Sequence, residues 1–314
     1  MLLIQNIVFI AIGFFMLMLG AQWLVDGAST FARKYHIPEI IIGLTIVSIG
    51  TSMPELMVSL TSAIGGHADI SIGNVIGSNL CNLMLILGLT SLIVPLVFSK
   101  TTKKYDIPIM IFSTVIVFLV ANIGETISRV DGLLLSIVFI VFILYTIKLA
   151  QKSMSNNTSK SNVTKKDLGI SILKVILGII LLKYGADISV DNAVSIAKVL
   201  GVSEKVIGVT IVAIGTSLPE LITSVVAGIK GEIDIAIGNI VGSNIFNLLF
   251  ILGVSSIITP ISYSLSYNID FLLLIFVSFL LLAFAYLGRK NTMTRLNGII
   301  YLLIYSGYIA YLII

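Results

Sequence analysis

Apolar residues run along this chain in stretches too long for the core of a soluble domain. They can be read near 4–28, 39–64, 70–98, 107–124, 130–150, 168–190, 204–229, 233–260, 268–287 and 296–314. Each suffices for the roughly 20 residues of a bilayer-spanning helix, which predicts about ten transmembrane helices and little chain for any aqueous domain. Most polar residues fall in short joints between the runs. A few interrupt the runs themselves, and they do so twice: Gly50-Thr51-Ser52-Met53-Pro54-Glu55-Leu56 lies within the second run and Gly215-Thr216-Ser217-Leu218-Pro219-Glu220-Leu221 within the seventh. Proline removes a backbone donor and pushes the preceding residue out of the helical region, so both helices are predicted to break there.

The two interruptions belong to a duplication with a constant offset, since 215 − 50 = 165 and 220 − 55 = 165. Downstream, Gly73-Asn74-Val75-Ile76-Gly77-Ser78-Asn79 recurs as Gly238-Asn239-Ile240-Val241-Gly242-Ser243-Asn244, with 238 − 73 = 165. Between Gly43/Gly208 and Gly88/Gly253 the copies are about three-fifths identical without a gap. Each copy holds about five helices. An odd number makes the second copy enter the bilayer from the opposite side, an inverted-topology repeat typical of secondary transporters. The expected division is 1–151 for the first repeat (motif within 43–88), 152–167 for a linker, and 168–314 for the second (motif within 208–253).

Composition agrees with the pattern: 57% of residues are hydrophobic and 11% charged, with mean hydropathy +1.11, against about 25% charged in soluble domains. The net charge of +4 informs orientation. Arg33, Lys34, Lys100, Lys103, Lys104, Lys148, Lys152, Lys230, Arg289, Lys290 and Arg295 follow odd-numbered runs, while Arg129, Lys198 and Lys205 hold the alternate loops. By the positive-inside rule the odd exits are cytoplasmic and both termini extracytoplasmic, in a multi-pass protein of the cell membrane. The first run lacks a basic leader and an Ala-x-Ala-like cleavage site and reads as a retained helix. Ser153–Lys166 reads as a flexible cytoplasmic linker, which argues against glycosylation at Asn157 or Asn162. Cys81 reads as packing, and His36 and His67 as solvated loop residues.

Ser52-Met53-Pro54-Glu55 also matches a capping box, with Glu55 reaching back to its own helix start. In mid-membrane a second reading outweighs it. A break leaves backbone carbonyls without donors, tolerated only where they face protein or a cavity. Carbonyls beside a carboxylate make a hard-cation site. Asn74, Ser78 and Asn82, spaced i, i+4, i+8, add a polar stripe on the third helix, and Asn239, Ser243 and Asn247 repeat it on the eighth. The Gly73/Gly77 and Gly238/Gly242 pairs read as helix-packing motifs. The set is all oxygen, suited to Ca²⁺ or Na⁺, with no thiolate or imidazole for zinc, copper or iron. Asp26/Asp191 and Asp69/Asp234 sit near run ends, where caps or solvated charges are expected and an entry-vestibule role is open.

These elements resemble the alpha repeats of the cation/calcium exchanger superfamily, in its prokaryotic sodium/calcium exchanger branch, across essentially the whole chain. The resemblance implies an all-α polytopic fold of ten helices in two inverted five-helix repeats, the second and seventh broken. It implies antiport of Ca²⁺ against Na⁺ by alternating access. Glu55 and Glu220 would be the central carboxylates. Thr51 and Thr216, with the carbonyls of Ser48 and Ala213, would line Na⁺ sites, and Ser52, Ser217, Ser78, Ser243, Asn82 and Asn247 would complete the shell. Asn247 stands where characterised relatives carry aspartate, leaving one carboxylate fewer. Related calcium/proton exchangers place a glutamate in the Gly-Asn element, which neither copy has here; Ca²⁺/H⁺ antiport is the alternative. No cofactor, nucleic acid or obligatory protein partner is implied. No His-Glu-x-x-His or Asp-Asp-x-x-Asp run points to an enzyme, and a channel would use similar oxygen rings.

Overall fold

The computed structural model describes residues 2–66, 68–156, 164–200, 213–287 and 291–313. Each of the ten apolar runs carries helix. The helices are α1 (Leu2–Tyr35), α2 (Glu39–Thr51), α3 (Met53–Ile64), α4 (68–93), α5 (Thr102–Asn122) and α6 (Arg129–Asn156). Then come α7 (Lys165–Val199), α8 (Ala213–Thr216), α9 (Leu218–Ile229), α10 (Ile233–Ile258), α11 (Asn268–Leu287) and α12 (Arg295–Ile313). By length and composition seven described helices can cross a membrane, or eight with α2 and α3 counted as one bent span. This is an all-helical, multi-pass membrane protein, because in lipid a chain must satisfy its backbone within each segment.

α1 and α7, with 34 and 35 residues, are about 50 Å long at 1.5 Å per residue. They pack antiparallel along their length through small residues seven apart. Gly13 meets Gly185, Gly20 meets Gly178 and Gly27 meets Ser171, and the register is constant because 13 + 185 = 20 + 178 = 27 + 171 = 198. A methyl on Gly20 would sit 2.8 Å from the Gly178 carbonyl oxygen, and one on Gly13 2.7 Å from that of Gly185. Such close backbones are how helices associate where lipid supplies no hydrophobic drive.

The second span bends by 49° between α2 and α3. Pro54 has no N–H for the Gly50 carbonyl, and Ser52 at the joint adopts φ −83°, ψ 13°. Ser217, between α8 and α9, adopts φ −88°, ψ 7°, so both copies break alike. The rest of the seventh run, 201–212, lies outside the described residues. Gly66 and Gly231, again 165 apart, turn the chain into α4 and α10 at φ +80° and +81°, a conformation that favours glycine.

α4 and α10 form the centre. The apolar windows of α10 and α4 are 94% and 72% buried, against 22% for α1 and α7. Each central helix loosens into a π-helical turn, Cys81–Ile86 and Phe246–Ile251. Short strands, absent from the sequence expectation, tie the halves together: β1 (Leu96–Val97) pairs with β4 (Thr292–Met293), and β2 (Thr126–Ile127) with β3 (Ile261–Ser262). Helix also replaces both ends of the expected linker. α6 continues to Asn156, and Thr164 caps α7 by exchanging hydrogen bonds with Asp167. Asn162, like Asn157 and His67, lies outside the described residues.

Candidate functional site: a buried oxygen cluster between the halves

The breaks put Glu55 and Glu220 in the first turns of α3 and α9, each 1% exposed. The capping box, which could have coexisted with ion binding, does not form, since neither the Ser52 nor the Ser217 side chain bonds its own helix start. Their hydroxyls cross to the other half instead. Ser52 Oγ donates to Glu220 Oε1 at 2.7 Å and lies 2.9 Å from Ser243 Oγ. Ser217 Oγ donates to Glu55 Oε1 at 3.4 Å. Among the described residues no Lys or Arg pairs with either carboxylate.

The π-helical turns begin beside Asn82 and Asn247. The Leu87 N–H reaches back to the Asn82 carbonyl and the Leu252 N–H to that of Asn247, five residues each. The amide nitrogens are held by asparagines of the opposite half: Asn82 Nδ2 donates to Asn244 Oδ1 at 3.3 Å, and Asn247 Nδ2 to Asn79 Oδ1 at 3.0 Å. With the nitrogens engaged, the oxygens are the ends left over. Asn82 Oδ1, Asn247 Oδ1, Glu55 Oε2 and Glu220 Oε2 are all buried without a hydrogen-bond partner. Buried polar groups are normally satisfied. Four symmetry-related acceptors without partners, two of them on carboxylates, are suited to a hard cation. Among the described residues no three His, Cys, Asp or Glu side chains come together, so amide and hydroxyl oxygens must complete any shell.

Thr51, fully buried, places Oγ1 3.2 Å from the Ser48 carbonyl and 3.0 Å from Asn239 Oδ1. The Ser48 carbonyl also accepts from Ser52 N–H at 3.0 Å and Ser243 Oγ at 3.5 Å. Thr216 is half-buried at the α8 end. Ala213 begins α8, with its side chain outside the described residues. Asn74 and Asn239, read as part of the polar stripes, act as braces. Their Nδ2 atoms donate to the Glu55 and Glu220 carbonyls at 3.1 and 3.4 Å, and to Ser59 and Ser224 at 3.0 Å. Asp26, expected to be a cap or a solvated charge, pairs with Lys230 and with Lys174 at 3.9 Å.

The sequence reading missed Asn79 and Asn244. Both stand in the duplicated Gly-Ser-Asn element but off the i, i+4, i+8 stripe; their repetition was the available signal. It also passed over Lys183 and Asp187 on α7, an i, i+4 pair inside an apolar run.

The chain matches the sodium/calcium exchanger protein family over residues 5–148 and 170–314. It is 37% identical over 285 residues to the inner membrane protein YrbG of Escherichia coli (strain K12), covering 86% of each chain. It is 31% identical to the sodium/calcium exchanger MaX1 of Methanosarcina acetivorans, covering 98% of each. Its fold superposes on the sodium-calcium exchanger NCX_Mj, soaked with 2.5 mM Na⁺ and 1 mM Sr²⁺, with a TM-score of 0.86 at 32% identity over 97% of each chain.

Proposed function

This chain belongs to the sodium/calcium exchanger protein family, a cation-exchanging transporter and not an enzyme, and from that premise we propose that it exchanges Ca²⁺ for Na⁺ across the cell membrane. The observation that carries the reading is the set of four partnerless buried oxygens on Glu55, Glu220, Asn82 and Asn247. Two carboxylates offset one Ca²⁺ or two Na⁺ equally well, so the same oxygens serve both ions in competition. Hydroxyls of Ser52, Ser217, Ser78 and Ser243 complete the shell, and Thr51, Thr216, Ser48 and Ala213 extend it toward either face. NCX_Mj, soaked with Na⁺ and Ca²⁺, and MaX1, an exchanger by name, support the choice of ions. YrbG, an inner membrane protein by name, supports the location.

The five-helix halves, 1–151 and 168–314 about the 152–167 linker, are the units whose relative movement gives alternating access, with both termini extracytoplasmic. In sealed vesicles, an outward-directed Na⁺ gradient is expected to drive ⁴⁵Ca²⁺ accumulation. Accumulation driven only by a pH gradient would assign the coupling to protons instead. Flux that ignores both gradients would indicate a channel.

A further inference from the structure

On the α7 side of the two breaks lies a crevice of about 170 Å³ lined by Pro54, Val58, Lys183, Asp187, Asp191 and Thr216, among others. This is room for several waters. Pro54 adjoins Glu55 and Thr216 adjoins Ser217, so the crevice borders both breaks, within the span of α7. Lys183 Nζ is 2.6 Å from Asp187 Oδ2, with the two side chains 43% and 46% exposed. Charges at this depth face protein or water, not lipid. Lys183 also lies over its neighbour Tyr184, 5.0 Å from the ring centroid.

The pair breaks the symmetry of the molecule. The positions 165 residues earlier, Met18 and Gln22 on α1, carry no charge. The crevice charge is therefore −1 in the native chain: −2 from Asp187 and Asp191, +1 from Lys183. We propose that Lys183 sets the affinity of the adjoining cation site, a fixed positive charge that opposes Ca²⁺ and each Na⁺ in proportion to their charges. The inference rests on the cation site proposed above. A fixed charge acts on an ion in proportion to that ion's own charge. Its effect on Ca²⁺ affinity is then the square of its effect on the affinity for each Na⁺. A purely structural role would not produce that relation.

Equilibrium ⁴⁵Ca²⁺ binding to the purified full-length protein, with Na⁺ competition, tests this. Lys183→Met takes the crevice to −2 and is expected to tighten Ca²⁺ binding about tenfold and each Na⁺ about threefold. Asp187→Asn takes it to 0 and is expected to weaken both in the same ratio. The double variant returns the crevice to −1 and should restore native affinities, while Lys183→Arg keeps them. Native Ca²⁺ affinity in Lys183→Met, or equal fold-changes for the two ions, overturns the proposal while leaving the cation site standing. A native protein that binds no Ca²⁺ overturns the site itself, and this inference with it.

Discussion

The Ser52 hydroxyl donates to Glu220 Oε1 at 2.7 Å, joining the break of one repeat to the carboxylate of the other. The reciprocal contact, Ser217 to Glu55, is longer at 3.4 Å. Hydrogen bonds to charged groups contribute about 1.5–3 kcal/mol. Ser52→Ala should therefore weaken Ca²⁺ binding by roughly ten- to a hundredfold, and Ser217→Ala by less. Titration of both purified variants checks the order, and a larger loss in Ser217→Ala would contradict this geometry.

Asn79 presents its oxygen to the Asn247 amide nitrogen at 3.0 Å, which leaves Asn247 Oδ1 for the ion. Asn79→Ala removes that anchor and lets the amide turn its N–H groups toward the cluster. Losing one partner of a buried hydrogen bond costs about 1–3 kcal/mol. Ca²⁺ affinity is expected to fall accordingly with the fold intact, measured by binding alongside thermal unfolding in detergent. Unchanged affinity would mean that Asn247 is oriented by something else.

Packing of α2 against α10 depends on Gly238, where a methyl would lie 2.7 Å from the Ile40 carbonyl oxygen and 2.9 Å from the Gly43 Cα. Backbone cannot yield as a flexible side chain does. Gly238→Ala should destabilise the protein by about 1–3 kcal/mol, read as a lower unfolding temperature. A native unfolding temperature would show that α2 has room to retreat.

Much of this arrangement was legible because the duplication writes it twice. Glu55 and Glu220, Pro54 and Pro219, and the turns at Gly66 and Gly231 are all 165 apart, and lipid leaves a long apolar run few options but helix. Less legible were features set by contacts between the halves. The π-helical turns arise in segments whose composition does not differ from neighbouring helix. Ser52 matches a local capping box in sequence, and only the approach of the other half shows its hydroxyl crossing to Glu220. Asn79 and Asn244 fall off the stripe that a straight helix implies. The two-residue strands are too short for any alternating pattern.

The proposed orientation rests on Lys100, just before α5, and on Lys103 and Lys104 in its first turn. Because Cys81 is buried, introduced cysteines report without background. Lys100→Cys is expected to label only from the cytoplasmic side, and Ile123→Cys, beyond the other end of α5, only from outside. Labelling of both from one side would overturn the crossing of α5, and a reversed pattern would place the termini in the cytoplasm.

The central claim is that Glu55 and Glu220 together hold the transported ion. Replacing either by glutamine keeps size and an oxygen but removes one of two charges that offset Ca²⁺. Removing one partner of a buried charge pairing costs about 3–5 kcal/mol, at least about a hundredfold in affinity. The direct measurement is Na⁺-gradient-driven ⁴⁵Ca²⁺ uptake at micromolar Ca²⁺, in vesicles holding equal amounts of native, Glu55→Gln and Glu220→Gln protein. Uptake by the native protein and none by either variant is the predicted result; near-native uptake by either variant would contradict it and move the ion site elsewhere.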